Sequence, residues 1–334
     1  MPEFEEEEEL LEEEEEGQAS EMYEHHRIEA DNGQNLLRVD KFLMSRLPNA
    51  SRTKIQEAAD AGNILVNGKA VKSSYKVKPK DIVSVVMAYP RREIEIIPEN
   101  IPLNIVYEDD DLIIVNKPAG MVVHEDEHEK RYTLIDYIKA YLYQSGSYRP
   151  EEENSFAPAL CNRIDRNTGG IVIAAKNAEA LRVMNQKIKD REIDKRYLCI
   201  VHGTPRPASG RLEGQLFKDA KENRVYITKT PQKGSKTCVT LYKTLQSRNG
   251  LSLVECELVT GRTHQIRAQM AAAGWPLLGD GKYGKLDKRY DRKFQALYSY
   301  KLTFQFTTDA GCLSYLNGRT FQVESVDFVQ EYFT

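Results

Sequence analysis

Cys161-Asn162-Arg163-Ile164-Asp165-Arg166-Asn167-Thr168-Gly169-Gly170 runs directly into the apolar stretch Ile171-Val172-Ile173-Ala174-Ala175. One carboxylate, Asp165, stands between two arginines on a turn, with a buried strand predicted immediately after it. Flanking guanidinium charge favours the anion, and the glycine pair lets backbone, and with it a bulky substrate, come close. The pattern predicts an ionised, nucleophilic carboxylate at the head of a strand. The plain alternative is an exposed Asp/Arg turn that only starts the strand.

Outward from this stretch, apolar strands alternate with amphipathic helices. Leu112 to Val115, Ile171 to Ala175, Tyr197 to Val201 and Leu251 to Val259 read as strands, while 133 to 143 and 178 to 190 read as helices. In the second helix Leu181, Met184 and Ile188 share a face, and Asn177 is placed to cap it. Without a regular parallel-crossover repeat, the pattern predicts an α+β domain around a mixed, mainly antiparallel sheet over residues 102 to 330.

Residues 36 to 88 predict a small helix-helix-hairpin unit. Val39, Phe42, Leu43 and Leu47 form one helical stripe, Ser51 is placed to cap a second helix and Gly62 to end it, and Asn67-Gly68 marks a tight hairpin between Ile64-Leu65-Val66 and the next strand. The segment carries ten basic and four acidic residues, a net +6. Arg52 and Lys54 fall at the start of the second helix, where its dipole favours phosphate. Residues 89 to 101, with Pro90 and Pro98, read as a linker.

A formal net charge of −4 hides an asymmetry. Residues 1 to 35 hold 15 Asp/Glu and one Arg, which leaves 46 basic against 36 acidic residues, a net +10, for the rest. The first 35 residues therefore read as a disordered acidic tail and the remainder as a partner for a polyanion. The five cysteines form no C-x-x-C pair, and no long apolar run appears, so the chain reads as cytosolic with reduced thiols and no membrane partner. Cys161 has no positioned histidine and reads as a packed thiol. Gly279 to Gly284 spells G-x-G-x-x-G, but no strand-to-helix unit surrounds it and the position about twenty residues on is Phe304, so it is not read as a dinucleotide site. His202 and His264 lack metal-ligand spacing, and no metal is expected.

Four ordered blocks resemble the RluA/RluC/RluD family of pseudouridine synthases, which isomerise uridine in structured RNA. They are Asp111 to Gly120; Cys161 to Gly170, similar to His-Arg-Leu-Asp-x-x-Thr-Ser-Gly; Lys195 to Gly203; and Gly261 to Arg267, followed by Gly279-Asp280 and Tyr283-Gly284. Asn162, Ile164 and Gly169 stand where the family usually has His, Leu and Ser. The front unit is similar to the RNA-binding module named after a small-subunit ribosomal protein.

The resemblance implies a pseudouridine synthase catalytic domain that needs no cofactor. It implies Asp165 as nucleophile or base, Tyr197 as the ring that stacks on uracil and helps take its carbon-5 proton, and Arg267 as the partner of Asp165. Arg163 is implied to fill the space left by a flipped nucleotide. Arg262 and His264 join Arg52 and Lys54 in the RNA-binding set, His264 as a hydrogen-bonding residue behind the reacting groups. The partner implied is structured RNA, foremost large-subunit ribosomal RNA. Transfer RNA, or a non-catalytic ribosome-assembly role, are the alternatives, and a glycosidase lacks a second catalytic acid. Nothing in the sequence fixes an oligomeric state, and a monomer is the default.

Overall fold

The computed structural model describes residues 22 to 334 except 34, 48 to 49, 51, 89 to 101, 126 to 128, 130, 151 to 155, 220 to 221 and 223. The expected linker, the cap at Ser51 and the glutamate blocks lie outside the described residues. The chain divides into two compact units, 1 to 94 and 95 to 334.

The front unit contains β1 (Met22–Glu29), α1 (Val39–Met44), α2 (Arg52–Asp60), β2 (Ile64–Val66), β3 (Lys69–Ala70) and β4 (Ile82–Ala88), with sheet order β1-β4-β2-β3. Its core takes Val39, Phe42 and Leu43 from α1, Ile55 and Ala59 from α2, and Ile64, Val66 and Val83 from the sheet. At the hairpin both Asn67 (φ 51°) and Gly68 (φ 78°) are left-handed, as a type I′ turn requires. Asn67 also accepts the Ile82 N–H at 2.9 Å and donates to Asp81 at 2.9 Å, tying the turn to β4.

Strand β1 corrects the expectation of a tail through residue 35. It pairs with β4 from Met22↔Ala88 to Glu29↔Ile82, Ile28 packs on the core, and Ala30 is buried. The glutamate blocks dominate the charge of the whole segment, whereas the strand is held by backbone pairing that charge does not report.

The second unit is built on one 11-stranded sheet. Its strands are β5 (Ile105–Glu108), β6 (Leu112–Lys117), β7 (Ala159–Leu160), β8 (Gly169–Ala175), β9 (Ile193–His202), β10 (Ser209–Asp219), β11 (Arg224–Thr228), β12 (Lys236–Arg248), β13 (Leu251–Leu258), β14 (Leu297–Phe304) and β15 (Thr320–Gln322). The order is β11-β10-β12-β13-β9-β14-β8-β6-β5, with β15 on β14 and β7 on β8. Among the described strands only β14 and β8 run parallel, so the sheet is mixed and mainly antiparallel.

Every residue of β8 is buried, because both faces of the sheet centre are covered. On one face Ile113, Val115, Val172 and Ala174 pack with Leu134, Ile138 and Leu142 of α3 (Leu134–Gln144). On the other, Leu112, Ile114, Ile171 and Ile173 pack with Ala180 and Met184 of α4 (Ala178–Lys189), whose cap is the predicted Asn177, accepting from Ala180 N–H at 2.8 Å. The unit continues past residue 330 through α6 (Asp327–Phe333).

The glycine pair has a different task from the one expected of it. A Cβ on Gly170 (φ 117°) would lie 2.2 Å from the Ser299 carbonyl oxygen, and one on Gly169 would lie 2.5 Å from the Tyr298 ring. What comes close is therefore β14, not a substrate. This contact seats Ser299 opposite both Gly170 and Tyr197. Gly170→Ala meets backbone that cannot yield and a φ that alanine disfavours, so it should destabilise the unit by about 3 kcal/mol or more. Urea unfolding checks this, and a loss below about 0.5 kcal/mol would show that the contact is not tight.

Candidate active site

Asp165 sits in the loop between β7 and β8, and that loop is pinned at several points. The Asn162 carboxamide accepts the Ile173 N–H at 2.8 Å, so the residue that departs from the family pattern extends the sheet edge. Thr168 N–H closes a turn on the Asp165 carbonyl at 3.0 Å. Beneath it the wholly buried Lys117 ammonium donates to the carbonyls of Pro118 (2.9 Å), Met121 (2.8 Å) and Arg166 (2.9 Å), three acceptors for three protons. Burial, partly offset by Asp165, brings Lys117 down to about 7. Lys117 lies in the first ordered block, but an apolar strand ending in lysine gives no sign that the lysine turns inward.

Arg267 lies on α5 (Gln265–Ala272) and is 7% exposed. Its Nη1 donates to Asp165 Oδ2 at 3.0 Å, while Nε and Nη2 make a fork to Asp280 at 2.7 and 2.9 Å. Asp280, 1% exposed, also accepts the N–H groups of Lys282 (3.0 Å) and Tyr283 (3.2 Å). The amides of the glycine-rich loop are thus turned on a carboxylate of the chain itself. Burial alone would raise the Asp280 carboxyl, but Arg267 and the two amides outweigh it and hold it below the usual carboxylate range. The sequence placed Asp280 in a block but gave it no role; only folding brings the fork together.

Helix α5 has no side-chain cap. The cap position is His264, with left-handed backbone (φ 52°, ψ 20°), and the preceding loop is tied down by buried Gln265, which accepts from Thr260 Oγ1 (2.7 Å) and Arg262 N–H (3.1 Å). His264 Nε2 stands 3.7 Å from Asp165 Oδ2, and its Nδ1 is 2.8 Å from the Tyr283 hydroxyl.

Tyr197 lies on β9 with its hydroxyl bonded to the Ser299 side chain. Burial, eased by Ser299 and reinforced by Asp165, pushes its phenol up to about 12. Asp165, Tyr197, Arg267, Arg163, Arg262 and His264 all line one cleft of about 810 Å³. Six Lys/Arg side chains and two carboxylates face it, the other basic groups being Arg166, Lys195 and Lys218, so the cleft suits a polyanion. Arg163 is exposed. Cys161 also lines it, but burial pushes its thiol up to about 12, which leaves no thiolate.

Arg52 and Lys54 belong to the front unit, on α2, and are not part of the cleft. Arg52 does not simply offer its charge to solvent: with Arg38 it holds the buried Asp40, at 3.4 and 2.9 Å.

The family model for RNA pseudouridylate synthase matches residues 111–272, and that for the S4 domain matches 37–83. An uncharacterized RNA pseudouridine synthase of Bacillus subtilis is 35% identical over 277 residues, 83% of this chain and 88% of its own. A ribosomal large subunit pseudouridine synthase D of Borreliella burgdorferi is 32% identical over 273 residues, 80% and 82% of the two chains. Among solved structures, human RNA pseudouridylate synthase domain containing 4 shares the fold with a TM-score of 0.52 at 19% identity, covering 67% of this chain and 89% of that one. This chain belongs to the RNA pseudouridine synthases, isomerases acting on RNA, and carries an S4 domain in front of the catalytic unit.

The Arg267–Asp280 pair sets a pH dependence. Because the folded Asp280 carboxyl is depressed, its stabilisation is present above the unfolded value of 3.8 and is lost as pH falls through the folded one. Asp280→Asn should cost about 3–5 kcal/mol at pH 7, and the gap to wild type should narrow below pH 4. Unfolding free energies at pH 7 and pH 3.5 check this; a gap that stays constant contradicts it.

Proposed function

We propose that this chain converts specific uridines of large-subunit ribosomal RNA to pseudouridine, with Asp165 attacking the anomeric carbon or removing the adjacent sugar proton. The observation that carries the proposal is the Asp165 carboxylate held at 3.0 Å by a buried arginine within a basic cleft wide enough for a nucleotide. The choice of RNA rests on relatives named ribosomal large subunit pseudouridine synthase D, at 32%, 33% and 31% identity in three bacteria.

The reaction breaks the bond from ribose to uracil N1, turns the base, bonds carbon 5 to the ribose and moves the carbon-5 proton to N1, so no electrons are exchanged. Tyr197 gives the uracil a ring to stack on. A phenol near 12 is not an anion at neutral pH, so it can accept the carbon-5 proton only while giving up its own, and the balance closes because uracil N1 gains one proton. Arg163, exposed at the rim, occupies the stack vacated by the target nucleotide, and Arg262 meets phosphate beside it. On the front unit, Arg52 and Lys54 add contacts to the same RNA.

Asp165→Asn should bind structured RNA with wild-type affinity yet release no tritium from RNA labelled at uracil carbon 5. Mapping pseudouridines in total RNA with and without the gene identifies the target. Near wild-type turnover by the variant would remove Asp165 from the chemistry, and a site lost from transfer RNA instead would replace the substrate.

A further inference from the structure

His264 has a backbone that its position does not explain by capping. A left-handed φ on a non-glycine residue costs about 1–3 kcal/mol and persists where the surroundings enforce it. Here they do: Gln265, 2% exposed, binds Thr260, Arg262, Thr240 and the Val239 carbonyl, and so fixes the turn. No side-chain cap to α5 results. What the turn achieves is to aim the imidazole into the cleft, with Nε2 at Asp165.

The other side of the ring is equally determined. The Tyr283 hydroxyl accepts the Val225 N–H at 3.0 Å, so its own proton is directed to His264 Nδ1 at 2.8 Å. The neutral imidazole then carries its proton on Nε2, the nitrogen that faces Asp165. Two guanidinium groups also lie against the Tyr283 ring, Arg267 at 5.2 Å and Arg224 at 5.3 Å from its centroid, and the ring meets His264 edge-on at 5.6 Å.

Arg267 and His264 approach the same oxygen, Oδ2, at 3.0 and 3.7 Å. We propose that His264 is a positioning residue that, with its tautomer fixed by Tyr283, holds Oδ2 of Asp165 alongside Arg267 and so presents Oδ1 as the reacting oxygen. This rests on the reading of Asp165 as the group that acts on the sugar, and it moves His264 from RNA contact to support of the carboxylate. At 3.7 Å the two groups are not hydrogen-bonded, so this role requires the ring to close on Oδ2 when substrate fills the cleft. Burial keeps the imidazole below its ordinary value, reinforced by Arg267 and Lys282 and opposed by Asp165 and Asp280, so the neutral form serves at pH 7.

Single-turnover kinetics on the full chain test the proposal, with one structured RNA that the wild-type enzyme modifies. His264→Ala should lower the rate at saturating enzyme roughly 10- to 100-fold while RNA affinity changes less than about threefold. His264→Gln, whose amide nitrogen reaches the place of Nε2, should recover most of the rate. Tyr283→Phe should slow the reaction and add little to His264→Ala, because the two act as one unit. A loss confined to RNA affinity, a glutamine variant as slow as alanine, or fully additive effects would each overturn the proposal. Asp165→Asn in the same assay separates the two readings: its activity would remove the role of Asp165, whereas its inactivity beside a normal His264→Ala would remove only that of His264.

Discussion

One guanidinium with two carboxylates organises the catalytic unit. Arg267 gives two donors to Asp280, which is 1% exposed, and a third to Asp165, which reaches the cleft. A buried arginine with one partner removed is a costly uncompensated charge, so α5, the glycine-rich loop and the loop before β8 must keep their mutual distances. Those three segments are 13 and 102 residues apart in sequence, and the ion network is what makes them a single rigid site.

The strands bring the rest into range. The Gly169-Gly170 contact presses β8 onto β14, and β14 places Ser299 beside Tyr197 on β9. Lys117, at the end of β6, ties the loop after β6, through Pro118 and Met121, to the Asp165 loop, through Arg166. A mixed sheet is suited to this, since its one parallel contact lets the starts of β8 and β14 lie side by side and deliver the loop ahead of β8 to the floor of the cleft.

Much of this was readable in the sequence where a local signal carried it. The continuous apolar runs at 112 to 115 and 171 to 175 became strands covered on both faces, Asn67-Gly68 became a hairpin turn, and Asn177 capped α4. Legibility failed where the deciding contact was distant or local rules were overridden. Strand β1 was masked by neighbouring glutamates. The glycine pair read as room for a substrate because its neighbour, β14, is 129 residues away. Strand β10, with one residue buried out of eleven, carried no apolar alternation to detect. Nothing in residue type marked His264, whose turn the Gln265 bonds fix, as the cap position of α5. Of the candidate site, Asp165, Tyr197 and Arg267 came from the ordered blocks, while Asp280, Tyr283 and Lys117 gained their roles only in three dimensions.

Because Asp280 touches Arg267 and Arg267 touches Asp165, Asp280 should act on the chemistry through Arg267 and not through a separate path. A double-mutant cycle of single-turnover rates, using Arg267→Gln, Asp280→Asn and the pair, tests it most directly. The double variant should be no slower than Arg267→Gln alone, since removing the arginine already removes the link. Rate losses that multiply would contradict it, because each residue would then act on the reaction by itself.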